Sequence, residues 1–489
     1  MRNKDKKLTS VRLDPEEYQE FQMQCLKDNF SFQKLGIGNM GKEIVLGTAH
    51  HFNWVNLGAA LKHPDDGKAF DLSEQVNKEV EIEDAYVRLI PSSGYGDVKK
   101  IRELIKVEKP DAILIFTDPR YWTWLFEIER EIRSEMPIFW LNIWDDYPAP
   151  LYNKPYYESV DLLMAISKQT KNINEIVLGD KAKDKVIEYV PHGINAKHYF
   201  PIKEEHEDYS KLVEFKKAVL KNKDIDFVVF YNSRNIRRKS TADTILAYRI
   251  FCDSIGKEKS KKCALILHTD PTDQHGTDLK AVREAFCDPS YINVFFSPDK
   301  IPVAQLNLLY NIADATILLS SNEGWGLSLT ESLTTATPII ANVTGGMQDQ
   351  MRFEKDGKWV DFTPDFPSNH NGTIKNCGDW AIPVFPSNRS VAGSVPTPYI
   401  FDDRCSAEDA ASAIYKMYSY SSEEREERGR KGFEWVNSEE ASMTAENMSK
   451  RVVEVLDKGF EKFTPREAFD VFTITDRPAK YIEHKLTGY

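Results

Sequence analysis

The sequence has no cysteines at metal or redox spacing: Cys25, Cys252, Cys263, Cys287, Cys377 and Cys405 lie scattered over 489 residues with no C-x-x-C pair. Neither a disulfide framework nor a thiolate zinc site is suggested, and a reduced, cytoplasmic setting is expected. Long apolar runs are also missing. None approaches the roughly 18 to 20 residues of a bilayer span, and the basic residues Arg2, Lys4, Lys6 and Lys7 are followed by no apolar segment. Integral membrane association and a secretory signal are therefore not expected. Cations are in deficit, 64 Lys and Arg against 76 Asp and Glu, for a net charge of −12. That argues against a surface coated for nucleic acid but leaves room for a local basic groove. What is present, 41% hydrophobic and 11% aromatic residues with 24 Gly and 24 Pro, excludes collagen-like and mostly disordered chains. At roughly 150 residues per domain the length implies about three units.

Residues 1–41 differ in character from the rest of the chain. Thr9-Ser10-Val11-Arg12-Leu13 alternates like a short strand, and Asp14-Pro15-Glu16-Glu17 opens a helix with an Asp N-cap and Pro at its first position. This pattern resembles the start of a ribbon-helix-helix module, which binds DNA and dimerises through its strand. The resemblance breaks at Gly36-Ile37-Gly38-Asn39-Met40-Gly41. From Lys42 onward a βα alternation sets in, with strands expected at 43–48, 86–90, 112–117, 137–143, 162–166 and 186–190. It restarts after Pro201 at 227–232, 264–268, 293–296, 315–319 and 338–341. Two successive sets imply an α/β chain of two Rossmann-like domains, 42–200 and 201–457, with a ligand cleft at the carboxyl ends of the strands. Residues 352–400 read as a long insertion of little periodicity, expected over the cleft as a partner or acceptor surface, and 458–489 as a tail.

Two stretches carry chemistry. After the apolar strand ending at Leu319 comes Asn322-Glu323-Gly324-Trp325-Gly326-Leu327-Ser328-Leu329-Thr330-Glu331. Gly324 and Gly326 let backbone approach a ligand closely, and the free amides of Leu327 and Ser328 at a helix start favour an anion such as a diphosphate. Glu323 and Glu331 would stand on either side of it. After the strand 227–230, Asn232-Ser233-Arg234-Asn235-Ile236-Arg237-Arg238-Lys239 gathers four cations without an acid, a costly concentration unless an anion arrives. Arg234 and Lys239 are the expected clamp.

Glu323 and Glu331 match the E-x7-E element of retaining GT-B glycosyltransferases of glycosyltransferase family 4. Pro338-Ile339-Ile340-Ala341 with Gly345-Gly346 resembles that family's next strand and glycine turn, and Arg234 and Lys239 fall on its phosphate-binding Arg and Lys. Val190-Pro191-His192-Gly193-Ile194-Asn195 resembles its interdomain stretch, with His192 and Asn195 in place of the usual Asn and Asp. The resemblance implies a metal-independent, retaining hexosyltransferase of GT-B fold whose tail crosses back between domains. No cofactor is implied; the partner is a nucleotide-diphosphate sugar acting as donor substrate, UDP-sugar foremost. Glu323 would position the hexose, Glu331 the ribose, Gly324, Trp325, Gly326, Leu327 and Ser328 the rest of the donor, and Arg234 with Lys239 the diphosphate.

On the acceptor side, the loop His50-His51-Phe52-Asn53 after the expected first strand would open on the cleft, which nominates His50, His51 and Asn53. Trp144-Asp145-Asp146-Tyr147 ends a strand where the family often keeps a catalytic His or Asp, which nominates Asp145 or Asp146. Asp118 in Thr117-Asp118-Pro119-Arg120 reads as a capping residue. The acceptor is a hydroxymethylated base in DNA if the arm is a DNA-binding module, and a saccharide or small molecule otherwise; a catalytically silent DNA-binding protein is the third reading.

Overall fold

The computed structural model describes residues 7–12, 36–58, 64–297, 300–361 and 372–467. Among these, eight strands form the amino-terminal sheet: β1 (Lys7–Arg12), β2 (Asn53–Gly58), β3 (Phe70–Asp71), β4 (Val87–Pro91), β5 (Ala112–Phe116), β6 (Ile138–Asn142), β7 (Leu162–Ala165) and β8 (Val186–Tyr189). Their order is β3-β4-β2-β1-β5-β6-β7-β8, parallel throughout except for β3. β5 (Ala-Ile-Leu-Ile-Phe) and β6 (Ile-Phe-Trp-Leu-Asn) are buried at every position, because helices cover both faces of a parallel sheet and leave no polar side to alternate with.

The second sheet holds β9 (Phe227–Asn232), β10 (Cys263–His268), β11 (Asn293–Phe296), β12 (Ala315–Leu318) and β13 (Ile339–Asn342). A short hairpin of β14 (Glu354–Lys355) and β15 (Lys358–Trp359) comes next, and β16 (Ala381–Val384) closes the sheet. The order is β11-β10-β9-β12-β13-β16, parallel at each described pairing. A further antiparallel hairpin, β17 (Asn388–Ser394) and β18 (Thr397–Arg404), precedes the three closing helices Ala407–Ser419, Ser422–Val436 and Ala445–Lys462. Helix Ser422–Val436 starts with a reciprocal capping box between Ser421 and Glu424, of the kind that contributes about 1 kcal/mol.

The closing helix ties the domains together. Gly459 meets Phe139 and Leu162 so closely that a Cβ there would lie 2.7 Å from Leu162, and Phe460 packs edge-on against Phe139. The crossing therefore begins at Ala445, upstream of the expected boundary at 458. The turn before that helix locks onto the interdomain stretch: Ile194 N donates to Met443 O and Ala445 N to Ile194 O, both at 3.0 Å.

Three sequence expectations change. Residues 43–48 are helical, within Gly36–Thr48, not a strand. Met40, Ile44 and Thr48 share one buried face at four-residue spacing, and Gly47 receives the closing helix, with Ser449 Oγ 1.9 Å from where its Cβ would be. The strand expected in the arm exists, but as β1 it pairs in parallel with β2 on one edge and β5 on the other. Neither edge is open for the strand-to-strand dimer of a ribbon-helix-helix module; the helix expected from Asp14 lies outside the described residues. The described residues of 352–400 are not free of regular structure either: they supply β14, β15, β16, β17 and the start of β18.

Candidate functional site

Parallel strands bring their carboxyl ends to one side, and the loops leaving β5, β6, β7, β8, β9 and β12 enclose a cleft of about 540 Å³ between the two domains. The glycines make the close approach possible. Gly326 sits at φ +88° as the residue before helix Leu327–Thr334, in the left-handed region that favours Gly, and so does Gly345 at φ +54°. A Cβ on Gly345 would lie 2.0 Å from Glu323 O, and one on Gly324 2.7 Å from Ile143 O at the end of β6. The two glycine turns thus lock to each other and to the opposite domain.

At the floor of the cleft Glu323, 6% exposed, carries two cations, with Lys239 Nζ on one carboxylate oxygen and Arg238 Nη1 on the other. Arg238 Nη1 also donates to Asn322 O at 2.9 Å. Burial alone would raise the Glu323 pKa, but Lys239 and Arg238 outweigh it and hold the carboxyl below its ordinary range. The other cleft carboxyls shift the opposite way. Burial raises Glu331, against hydrogen bonds from Tyr310, Tyr199 and Asn232. It raises Asp145 against the pull of Arg238, and Asp118 against that of Arg120. One carboxylate held ionised beside three pushed towards their neutral forms is an environment able to divide binding and proton-transfer roles.

Glu323, Gly324, Trp325, Gly326, Leu327, Ser328, Glu331, Arg234, Lys239 and Asp145 all line the cleft. Asp146 does not. It is fully buried behind Asp145, where it accepts from Tyr147 N (2.7 Å), Gln169 Nε2 (3.1 Å) and Thr344 Oγ1 (3.2 Å), so of the pair it is the one that braces the loop. His50, His51 and Asn53 are also corrected. With 43–48 helical, their loop enters the amino end of β2, opposite the cleft, and His51 Nε2 meets Asp457 at 3.1 Å on the closing helix. Arg234 reaches the cleft while its guanidinium is engaged by Asp273 (2.7 Å) and His275 (3.3 Å).

The structure adds to the cleft residues that the sequence reading had not nominated for the site. Arg238, inside the recognised basic run, is paired with Glu323 alongside Lys239, while the expected clamp residue Arg234 lines the cleft without meeting that carboxylate. Asp118 does cap, accepting from Arg120 N at 3.0 Å, but also faces the cleft. His192 lines the cleft between Phe116 and Trp325, and its departure from the usual Asn was the available signal. Among the described residues no three His, Cys, Asp or Glu side chains gather as a metal site, and no helix is long and apolar enough to cross a membrane.

Residues 292–366, which hold Glu323, Glu331 and both glycine turns, match the family model described as glycosyl transferases group 1. A trehalose synthase of Rubrobacter xylanophilus is 30% identical over 115 residues, 23% of this chain and 27% of that protein; the match spans about a quarter of that relative's length. Among solved structures, Anabaena Alr3699/HepE in complex with UDP and glucose superposes with a TM-score of 0.59 at 12% identity, covering 93% of this chain and 100% of that one. Sucrose-phosphate synthase of Thermosynechococcus elongatus gives 0.59 at 15% identity over 93% and 99%. A trehalose 6-phosphate synthase of Burkholderia multivorans gives 0.56 at 10% over 94% and 99%. At these identities the likeness is one of fold, and the chain has the GT-B architecture of two Rossmann-like domains facing a cleft.

Proposed function

We propose that the protein is a retaining, metal-independent glycosyltransferase that moves a hexosyl group from a nucleoside-diphosphate sugar to an acceptor hydroxyl. The observation that carries this reading is the buried Arg238–Glu323–Lys239 cluster beside the amino end of helix Leu327–Thr334. An entering diphosphate competes with Glu323 for both cations, and Leu327 and Ser328, the first residues of that helix, line the same cleft. As the sugar–phosphate bond breaks, negative charge grows on the leaving diphosphate where these fixed donors already stand, which is the arrangement that stabilises a transition state. Glu323, relieved of its cations, is placed for hexose hydroxyls, and Glu331 with Tyr310 and Asn232 for ribose hydroxyls. Asp145, on the opposite wall and with a raised pKa, is placed to take the acceptor proton. The UDP complexes of Anabaena HepE support UDP as the nucleotide, and the family 4 motif supports retention.

The acceptor wall of Asp118, Tyr121, Trp144 and Asp145 combines aromatic faces with carboxyls. That supports a saccharide or small polyol. The DNA reading drew on an arm with an open strand edge, and β1 has none. Incubating purified protein with UDP-glucose and a panel of saccharides, polyols and hydroxymethylated duplex DNA tests both: sugar transfer is expected to the first two. Transfer to DNA alone, falling steeply with salt, would reverse the acceptor assignment. No turnover with any nucleotide sugar, together with unchanged UDP affinity in Glu323→Ala and Lys239→Ala, would remove the enzymatic reading.

A further inference from the structure

The β17–β18 hairpin lies between the last strand of the second sheet and the closing helices, and β18 docks on both domains. Its first half sits on the amino-terminal domain. Thr397 Oγ1 accepts from Arg120 Nη1 at 2.6 Å, Tyr399 packs edge-on against Tyr152 at 4.9 Å, and Phe401 N donates to Tyr147 O at 2.8 Å. Ile400 packs into the aromatic core of that domain. Its second half sits on the donor domain. Asp402, 1% exposed, accepts from Arg237 Nη1 (2.7 Å), Asn322 Nδ2 (3.0 Å) and Ser321 Oγ (3.2 Å), and Asp403 N donates to Ser321 O at 2.8 Å.

Those partners are the chain neighbours of the ion cluster. Arg237 precedes Arg238, and Asn322 precedes Glu323. Ser321 N donates to Arg238 O at 2.7 Å, so the basic turn and the end of β12 already meet, and Asp402 fastens both from behind. The two oxygens of Asp402 divide these donors, Oδ2 taking the guanidinium and Oδ1 the amide and the hydroxyl. The same strand that reports contact with the amino-terminal domain therefore fixes the turn that carries Arg238 and Lys239.

We propose that Asp402 is a positioning residue for the Arg238–Glu323–Lys239 cluster, and that the hairpin couples the seating of the amino-terminal domain to the geometry of the diphosphate site. This rests on the reading of that cluster as the donor site. Neither Asp402 nor Arg237 is among the residues that line the cleft. A displacement of about 1 Å at a reacting centre can cost roughly 10²-fold in rate.

The test uses the whole chain and four proteins: wild type, Asp402→Asn, Arg237→Ala and the double variant. Hydrogen–deuterium exchange is read on peptides covering residues 233–240 and 319–324, alongside UDP titration calorimetry and UDP-glucose turnover. Asp402→Asn is expected to raise exchange in both peptides and to lower kcat about 10²-fold with a smaller change in KM. Arg237→Ala is expected to give part of the same loss, and the double variant less than the product of the two. Lowered thermal stability with unchanged exchange and unchanged kcat would mean a structural role only and would overturn the proposal. If wild type neither binds UDP nor turns over UDP-glucose, the donor reading fails, while exchange at 233–240 still decides whether Asp402 holds the turn.

Discussion

His192 offers the most quantitative perturbation. The residue is 6% exposed, its ring lies between Phe116 and Trp325, and burial holds its pKa down to about 3 against an ordinary 6.5. In the unfolded chain the imidazole takes a proton below pH 6.5, while in the folded protein it stays neutral until about pH 3. Stability from this site is therefore complete above pH 6.5 and is lost as pH falls towards 3. Protonation of the unfolded chain at pH 5 multiplies the unfolding equilibrium constant by about 30 relative to pH 8, so over that range the site withdraws about 2 kcal/mol. His192→Asn removes the titration. Urea unfolding of wild type and variant at pH 8 and pH 5, compared as a difference of differences so that other groups cancel, is expected to show wild type losing about 2 kcal/mol more. Equal losses in the two proteins would refute a neutral, buried His192.

Other variants test the same geometry. Lys239→Ala removes one of two cations from the proposed leaving-group site and is expected to lower donor turnover by about 10²- to 10³-fold in steady-state kinetics; a loss under threefold would contradict its role. Arg238→Ala is expected to cost more turnover than Arg234→Ala, because Arg234 is held by Asp273 and His275, and the reverse order would restore Arg234 as the principal partner. Gly324→Ala sets a methyl 2.7 Å from Ile143 O and 3.0 Å from Ile166 Cδ1, and thermal denaturation is expected to register about 1 to 3 kcal/mol of destabilisation. His51→Ala loses a partly exposed contact to Asp457, worth less than about 1 kcal/mol, and should leave kcat/KM unchanged; a tenfold fall would return that loop to the cleft.

Strands β9 to β13 and the closing helices were legible because an apolar run bounded by turn residues at regular spacing has few alternatives in a parallel sheet. The meeting of the glycine turns with the basic run was legible for a related reason: Gly324, Gly326 and the cations from Arg234 to Lys239 stand directly after apolar strands, and a parallel sheet brings such strand ends to one side. The amino-terminal half was harder to read. Ile44-Val45-Leu46 fits a buried strand or a buried helix equally well, and only its packing on Ser449, about 400 residues away, decides for helix. That single exchange moved His50, His51 and Asn53 to the wrong end of β2. Which of Arg234 and Arg238 meets Glu323 depends on Asp273, and which of Asp145 and Asp146 faces the cleft depends on Thr344 and Asp403, all distant in sequence.

Under the proposed function the cleft transfers a hexosyl group from a nucleotide sugar with retention. Proton NMR of wild-type protein with UDP-α-glucose and a saccharide acceptor reads it directly, through the anomeric doublet of the new linkage. An α-linked product with release of UDP, abolished in Glu323→Ala, is the expected result. A β-linked product would contradict retention, and undiminished transfer by Glu323→Ala would contradict the site.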